Sequence, residues 1–515
     1  MLDKIRNINI WVVAGLFLGI FLFVYFTGAL TSGYHFIDDH SMVSISNSLA
    51  TNSFVKTVSD YIKADLLIRF RPVFFIYYVS IVKAFGLDLF NMSLFVWLLA
   101  ASTFSFFYLG LRGLRQSVFT SILFVFLIFS GSQMAVWWRL GVNETVAMFF
   151  LGLTFLFLAK CSLPKNYQIN NVFFNVFLAI SALSKESFLI AVPAFAFLKV
   201  WNEKVSYEIT WWESLKKNWL LILPFGTMAA GLLIIKFYVG TNQIGYAGVT
   251  SSLHEFLSGI KHIILGQDAL LSWTYLLGAL AVALTISLLV KQKLHKTEIA
   301  KLVAEIAPYL IFSVVLVTPE ILMYAKSGMV ERYLLPSTLG LAFLVVGILL
   351  VIKDKAAKYF AVIFVCVFIV VSFMVSVTNA KLFAVDGRSA GYFFSTIQES
   401  VKPDARILLV VDPVDRFEVS DSIKTYLSYY GYNQLYAYSL PRANYTPFEV
   451  SLERAWKQWF VGRTLADLSG SPDLIVVFDK PQAQSFFEQS HISISDYTSL
   501  PMDSESYAIY LKKAK

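Results

Sequence analysis

Charged side chains are scarce in this sequence. Asp, Glu, Lys and Arg make up 15% of the residues and hydrophobic residues make up 57%, whereas water-soluble domains carry roughly 25% charged residues. This composition excludes a soluble protein. The net charge of +8 does not indicate a nucleic-acid partner, because the basic excess lies in the apolar part. Residues 1–380 hold 28 Lys and Arg against 18 Asp and Glu, and residues 381–515 hold 14 against 16.

Cysteines are almost absent as well. Cys161 and Cys366 lie at or within apolar runs that are far apart in the sequence, so neither a disulfide framework nor a cysteine metal site is indicated. The part of the chain after residue 380 lacks a glycine-rich phosphate loop, a nucleophile elbow and paired metal-ligand spacing. These absences favour a structural or partner-docking role for that part over catalysis.

Long apolar runs dominate the rest of the chain. The first, from Asn7 to Phe36, has no charged side chain and is long enough for one membrane crossing of ~20 residues. No small-residue cleavage site follows it, so we interpret it as a retained helix and not as a signal peptide. The runs predict a polytopic α-helical membrane protein with about eleven transmembrane helices. The other ten runs are 89–111, 116–138, 145–159, 166–184, 187–198, 218–235, 269–290, 306–325, 333–352 and 359–380.

Short basic loops predict the orientation of these helices. The positive-inside rule places them in the cytoplasm, and the alternation holds only if residues 72–87, a run of ~15 residues that is short for a span, do not cross. We therefore interpret residues 31–88 as one external loop of a protein of the plasma (inner) membrane. The loops assigned to the cytoplasm contain Lys4 and Arg6, Arg112 and Arg115, Lys160 and Lys165, Lys199 to Lys217, Lys291 to Lys301, and Lys353 to Lys358.

The chain changes character beyond residue 380. Short buried strands alternate with segments of helical spacing, which is typical of a small α/β domain. An odd number of crossings places this domain outside the cytoplasm. The sequence therefore predicts a transmembrane domain at 1–380 and a soluble extracytoplasmic α/β domain at 381–515. The expected strands are 407–411, 435–439, 473–478 and 507–511, and the expected helices are 417–430, 448–467 and 480–489.

Two adjacent carboxylates follow the first apolar run. Asp38 and Asp39 are flanked by His35 and His40. One interpretation is that they are solvated charges that end the helix. The other is that they face a cavity at the membrane surface and act on a substrate delivered by lipid. The pair alone leaves both interpretations open and favours the first.

Further charged residues lie near the ends of apolar runs, on the same predicted external face. Each one alone can be interpreted as a helix-end charge or as part of a local Lys–Glu pair. Together they offer cations that bind phosphate oxygens, which Arg can do bidentately, and carboxylates that accept a proton from a hydroxyl or an amine. These residues are Arg69, Arg71, Arg139, Glu144, Lys185, Glu186 and Arg332, with Tyr333 beside the last.

The order of these motifs resembles the GT-C superfamily of integral membrane glycosyltransferases. It is most similar to the branch of protein O-mannosyltransferases and of bacterial transferases that add aminoarabinose to lipid A. The resemblance covers roughly residues 8–350. It departs from the family in having Asp-Asp where Asp-Glu is commoner, and the C-terminal domain matches neither subgroup. The motifs are Asp38-Asp39 after the first helix, Arg71-Pro72, Arg139 with Glu144 five residues later, Lys185 at a helical break, and Arg332 to Pro336.

The resemblance implies an inverting glycosyltransferase that uses a sugar, hexosyl or pentosyl, linked to polyprenyl phosphate. Asp38 would act as the base, with Asp39 as the second carboxylate, on an external acceptor that is a cell-envelope glycan, a lipid or a protein. No cofactor is required, and a divalent metal is less favoured than a metal-free site. Arg332, Lys185 and Arg139 would bind the donor phosphate, and the other substrate-site candidates are Arg69, Arg71, Glu144, Glu186, Tyr333 and His40.

Two other classes of membrane protein remain open. A transporter of lipid-linked glycans would need basic residues along a path through the helices, whereas the predicted cations collect on one face. An O-antigen polymerase or ligase would also act on the external face and typically has a large late loop. The loop 237–268, with His254 and His262, keeps this alternative open.

Overall fold

The structure is a computed structural model that describes residues 2–66, 69–129, 131–238, 252–266, 269–290, 296–327, 331–412, 417–440, 463–478, 480–501 and 507–513. Helices account for most of it. They are α1 (Leu2–Thr27), α2 (His40–Thr51), α3 (Phe54–Asp65), α4 (Pro72–Phe85), α5 (Leu89–Gly113), α6 (Val118–Phe129), α7 (Glu144–Lys160), α8 (Tyr167–Ala182), α9 (Glu186–Leu189), α10 (Val192–Tyr207), α11 (Trp211–Lys217), α12 (Ile222–Tyr238), α13 (Leu253–Leu265), α14 (Leu271–Val290), α15 (Lys296–Ser327), α16 (Leu335–Val351), α17 (Lys355–Ser400), α18 (Phe417–Tyr429) and α19 (Ala483–Ser490).

Seven helices within the described ranges are long and apolar enough to cross a membrane. They coincide with seven of the predicted runs and confirm a polytopic helical membrane protein. The four other runs, 116–138, 145–159, 166–184 and 187–198, form helices of at most 17 residues, so the number of crossings stays a prediction. The seven candidate spans are Asn7–Thr27, Leu89–Gly113, Trp219–Phe237, Leu271–Leu288, Ala300–Ala325, Arg332–Val351 and Lys355–Ser400.

The run 116–138 is not one continuous helix, contrary to the prediction. The α-helix ends at Phe129, and a 3-10 helix covers Ser132–Trp137. Gly131 lies between them with a φ of 125°, a backbone conformation that a residue with a side chain rarely adopts. This break places Trp138 and Arg139 directly after a tight turn.

Helix α17 is much longer than the predicted final run. It has 46 residues, which at 1.5 Å per residue is about 69 Å, more than twice the hydrocarbon thickness of a bilayer. The charged residues after Ala380 indicated a change to soluble sequence, but the segment contains no proline and so the helix continues. The start of the soluble part is therefore a helix that ends at Ser400.

The chain forms two compact units. The first comprises Met1–Thr27, Val58–Tyr77 and Ser93–Ala380, and the second comprises Gly28–Thr57, Tyr78–Met92 and Lys381–Lys515. The segment that carries the acidic pair therefore belongs to the same unit as the C-terminal sheet.

Aromatic side chains fill the core of the first unit. Phe124, Phe155, Phe195 and Phe343 are fully or almost fully buried and contact one another through one stacked and three edge-on ring pairs. Helix α16 is buried along nearly its whole length, because its residues are apolar on every side. This core supports the start of α16, which follows the predicted Arg332 site.

One buried ion pair in the first unit has all of its polar groups satisfied. Lys199 and Glu203 are fully buried and contact each other on α10. Glu203 Oε1 also accepts a hydrogen bond from the Tyr167 hydroxyl (2.9 Å), and Oε2 accepts one from Asn218 Nδ2 (2.7 Å). A buried charge is tolerated when it is paired and hydrogen-bonded in this way. This pair therefore ties α8, α10 and the end of α11 together.

The second unit contains a six-stranded sheet, which confirms the predicted small C-terminal α/β part. Its order is β3-β2-β1-β4-β6-β5. The first four strands are parallel, and β6 pairs antiparallel with both β4 and β5. Most of the expected helix 448–467 lies outside the described residues. The strands are β1 (Ile407–Val411), β2 (Leu435–Ser439), β3 (Arg463–Thr464), β4 (Leu474–Val477), β5 (Tyr497–Ser499) and β6 (Ala508–Lys512).

One face of this sheet packs against α17 and α18. Phe393, Phe394 and Ile397 of α17 are buried there together with Tyr34 and Val43 from the N-terminal part of the chain. Because β1 and β4 are buried along their whole length, they read as continuous apolar runs in the sequence. This packing fixes the residues before and after the acidic pair.

Candidate active site

The acidic segment, Tyr34–His40, is held at both ends by α18. The Tyr34 hydroxyl lies 2.7 Å from Ser422 Oγ, and its ring packs against Phe394 and Tyr426. His40 Nε2 lies 3.8 Å from Asp421 Oδ2. The C-terminal sheet domain therefore contributes directly to the position of the predicted catalytic carboxylates.

Asp39 is buried and engaged by His35. Its side chain accepts hydrogen bonds at Oδ2 from the His35 backbone N–H (2.9 Å) and faces His35 Nδ1 at 3.2 Å. Burial raises the pKa of Asp39 more than the contacts with His35 lower it. This carboxyl group is therefore part of a local hydrogen-bonded structure.

Asp38 differs from its neighbour in both exposure and backbone. It is half-buried and has a φ of 70°. The left-handed region is uncommon for residues other than glycine, although Asp and Asn tolerate it best, and such conformations cluster at functional sites. The structure therefore distinguishes the two members of the pair, which the sequence alone could not do.

In the first unit, Lys185 lies at the centre of a group of predicted site residues. It is 1% exposed, and its Nζ lies 3.2 Å from Glu144 Oε1 and 3.7 Å from Glu186 Oε1. The same ammonium lies 4.7 Å from the centre of the Tyr333 ring, within the range of a cation–π contact. The structure thus brings together four residues from three segments that are distant in the sequence.

Two arginines add their charge to this group. Burial alone would raise the pKa of Glu186, but the nearby Lys185, Arg71 and Arg69 lower it to about 2. Glu186 is therefore ionised at neutral pH. We define Glu144, Lys185, Glu186 and Tyr333 as the Lys185 cluster.

Arg71 has a carboxylate partner that the sequence analysis missed. Its Nη2 donates to Asp65 Oδ1 at 2.5 Å, and its Nε lies 3.2 Å from the same atom. The guanidinium also lies over the rings of Phe74 and Phe75. The spacing of six residues within a loop gives no periodic signal, so only the folded structure reveals this pair.

Arg332 and Arg139 are half-buried. Arg332 Cζ lies 5.4 Å from the centre of the Tyr333 ring. The 3-10 helix Ser132–Trp137, which precedes Arg139, packs against the 3-10 helix Glu331–Leu334. Both arginines therefore belong to neighbouring segments of the first unit.

Glu320 is a buried carboxylate that the sequence analysis also missed. It lies on α15 and is fully buried. Its Oε2 accepts hydrogen bonds from the Ser337 backbone N–H (2.9 Å) and from Ser337 Oγ (2.7 Å), so it caps the first turn of α16. The sequence signal for Glu320 was that it is the single carboxylate inside the apolar run 306–325. A charged side chain in a membrane segment is energetically costly and is usually functional.

The described residues contain no group of three or more His, Cys, Asp or Glu side chains placed to hold a metal ion. The predicted loop 237–268 is only partly described. Residues 253–265 of it form α13, which packs against α15, and residues 239–251 and 267–268 lie outside the described ranges.

Comparison with solved structures finds two crystal structures of ArnT, the lipid A aminoarabinose transferase, from Cupriavidus metallidurans. One is bound to undecaprenyl phosphate and the other is in the apo state. They are 12% and 13% identical to this chain, with a TM-score of 0.51 in both cases, and the match covers 97% of each chain. No family model matches the sequence and neither does any curated protein.

This likeness confirms the GT-C-like fold that the order of motifs predicted. Because it covers 97% of both chains, it also includes the C-terminal sheet domain, for which the sequence had suggested no counterpart. At 12–13% identity it establishes the fold, and the activity needs separate support.

Proposed function

We propose that this protein is a membrane glycosyltransferase that moves a sugar from a polyprenyl-phosphate donor to an acceptor outside the cytoplasm. The observation that carries the proposal is the likeness, over 97% of both chains, to an ArnT structure bound to undecaprenyl phosphate. The cations of the first unit support it, because Arg and Lys are the side chains that bind phosphate oxygens. The acceptor is a cell-envelope glycan, a lipid or a protein.

In the proposed reaction, Asp38 accepts the proton of the acceptor hydroxyl or amine. The acceptor atom then attacks the anomeric carbon from the side opposite the phosphate, and the bond between that carbon and the phosphate oxygen breaks. The electron pair leaves with the polyprenyl phosphate, whose charge Arg332, Arg139 and Arg69 stabilise. Preorganised charges of this kind are usually the largest contribution to such a step.

Lys185 has a different place in this proposal from the one the resemblance implied. Its ammonium lies between two buried carboxylates, so its charge is already compensated. We infer that it acts on the donor indirectly, by holding the Tyr333 ring beside Arg332.

The test is an assay in detergent with a polyprenyl-phosphate sugar and no added glycan. A transferase of this class releases the sugar slowly to water and faster to its acceptor, and polyprenyl phosphate accumulates. A transporter leaves the donor intact. A polymerase or ligase turns over no donor without an added glycan, so the absence of any sugar release to water would contradict the proposal.

Replacing Arg332 by Ala should weaken use of the donor by about 1.5–3 kcal/mol in kcat/KM, typical of a charge-assisted hydrogen bond. Arg332→Lys should restore part of the loss, because the charge returns without the bidentate geometry. The matched control is Lys353→Ala, which removes a cation from an exposed surface pair with Glu305. Equal loss in both variants would show that general charge, and not the Arg332 site, is responsible.

The proposed orientation places the C-terminus outside the cytoplasm. A reporter that works only outside the cytoplasm should therefore be active when it is fused after Lys515. Helix α4, at residues 72–85, should not cross the membrane, since its 14 residues reach only about 21 Å. Cysteine labelling from each side of sealed vesicles checks this with Asn52→Cys, which lies before α4 in the chain, and Lys83→Cys, which lies near its C-terminal end. A reporter active in the cytoplasm would contradict the orientation.

A further inference from the structure

His35 connects the acidic segment to helix α17. Its Nε2 lies 3.0 Å from the backbone oxygen of Phe383, and its imidazole stacks on the Phe383 ring with centroids 3.6 Å apart. A carbonyl oxygen can only accept, so Nε2 carries a proton and donates it. The other ring nitrogen, Nδ1, is the one that faces Asp39 at 3.2 Å.

The contact between Nδ1 and Asp39 therefore needs a second proton, held by the imidazole or by the carboxyl group. Either arrangement makes one hydrogen bond, and the Asp39 oxygen also accepts the His35 backbone N–H. The raised pKa of Asp39 agrees with a carboxyl group that keeps this proton within the pair. Oδ2 of Asp39 is thus engaged within its own segment.

Gly387 allows His35 to reach α17. A Cβ atom built at this position would lie 2.6 Å from His35 Nε2 and 2.9 Å from His35 Cε1, and still closer to the Ser32 backbone oxygen. Real Cβ atoms essentially never approach so closely. Four residues later, Gly391 has nothing within 4 Å of its Cβ position. The helix therefore needs glycine at 387 and not at 391.

The contacts of His35 and Asp39 lie on either side of Asp38 in the chain. Asp38 lies between His35 and Asp39, and its φ of 70° is a conformation that persists only where the surroundings impose it. We propose that Asp39, His35 and Gly387 form a clamp that holds Asp38 in this conformation, so that Asp39 is a positioning residue and not a second catalytic carboxylate. The geometry of this clamp rests on the contacts alone. Its effect on turnover rests on the proposed function.

The first test compares Asp39→Asn with Asp39→Ala. An Asn side chain with its amide oxygen in the position of Oδ2 keeps the acceptor for the His35 backbone N–H, so we expect turnover within ~10-fold of the parent protein. Asp39→Ala removes both bonds and should lower kcat ~10²-fold with little change in the donor KM, as expected for a misplacement of about 1 Å. If Asp39→Asn falls as far as Asp39→Ala, the negative charge itself is required and the proposal is wrong.

The second test compares Gly387→Ala with Gly391→Ala on the same helix. Gly387→Ala should lower kcat ~10²-fold by displacing His35, and Gly391→Ala should leave it unchanged. Equal activity in the two variants would overturn the clamp. Should Gly387→Ala fail to fold, the comparison at Asp39 still decides.

Hydrogen exchange of peptides that cover residues 33–42 provides a reading that does not depend on activity. Asp39→Ala should speed exchange there, because the His35 N–H loses its acceptor, whereas Asp39→Asn should not. Unchanged exchange in Asp39→Ala would contradict the clamp. A parent protein that releases no sugar from the donor would contradict the proposed function and leave this exchange test valid.

Discussion

Replacing Asp38 by Asn should lower turnover by ~10²–10⁴-fold while donor binding stays near normal. Asn keeps the shape of the side chain and tolerates the left-handed backbone, but it cannot take a proton from the acceptor. The loss should therefore appear in kcat at saturating donor. Donor binding is measured separately, by titration of the polyprenyl-phosphate sugar.

The matched control for this prediction is Asp404→Asn, which alters an exposed carboxylate in the same unit. It should behave like the parent protein. Near-normal transfer by Asp38→Asn, in protein shown to be folded, would return the acidic pair to a helix-end role. A metal site would instead make both Asp38→Asn and Asp39→Asn fail, with activity that depends on added divalent ion.

Much of the fold could be predicted from the sequence because it depends on local composition. The runs 89–111, 269–290 and 333–352 are apolar over enough residues to cross a bilayer, and each forms a helix close to its predicted bounds. The strands at 407–411 and 435–439 were predicted because both are short apolar runs rich in Val, Leu and Tyr.

The errors arose where tertiary contacts or single residues decide the structure. Run 116–138 breaks at Gly131 because the chain turns there, although its hydropathy continues. Helix α17 extends past Ala380 because its polar residues still form a helix that packs on the sheet. Neither effect can be seen in the mean hydropathy of a sequence window.

The candidate site was only partly predictable for the same reason. Asp38 and Asp39 stood out through their place after the first helix, and the structure then separated them by backbone and burial. Gly387 carried no motif and Glu320 only its place inside an apolar run, and the role of each depends on what it contacts. The composition of a sequence shows which charges are present, whereas the fold decides which of them are compensated.

Lys185→Ala should destabilise the folded protein by about 3–5 kcal/mol, as is usual when one partner of a buried ion pair is removed. The substitution leaves Glu144 buried without its cation, since the Lys185 Nζ at 3.2 Å is the cation beside it in the described structure. Glu186 loses a contact at 3.7 Å but keeps the nearby charges of Arg71 and Arg69. Thermal unfolding in detergent measures the loss, and Lys353→Ala, in an exposed pair, should cost about 1 kcal/mol or less.

A double variant separates stability from function at this position. Lys185→Met with Glu144→Gln removes both charges of the closest pair and fills similar space, so it should recover most of the lost stability. Its use of the donor should remain lowered, because the ammonium no longer holds the Tyr333 ring beside Arg332. If the double variant recovers activity together with stability, Lys185 serves folding alone. If Lys185→Ala instead stays fully stable while kcat/KM for the donor falls, the ammonium acts on the phosphate itself, as the family resemblance first implied.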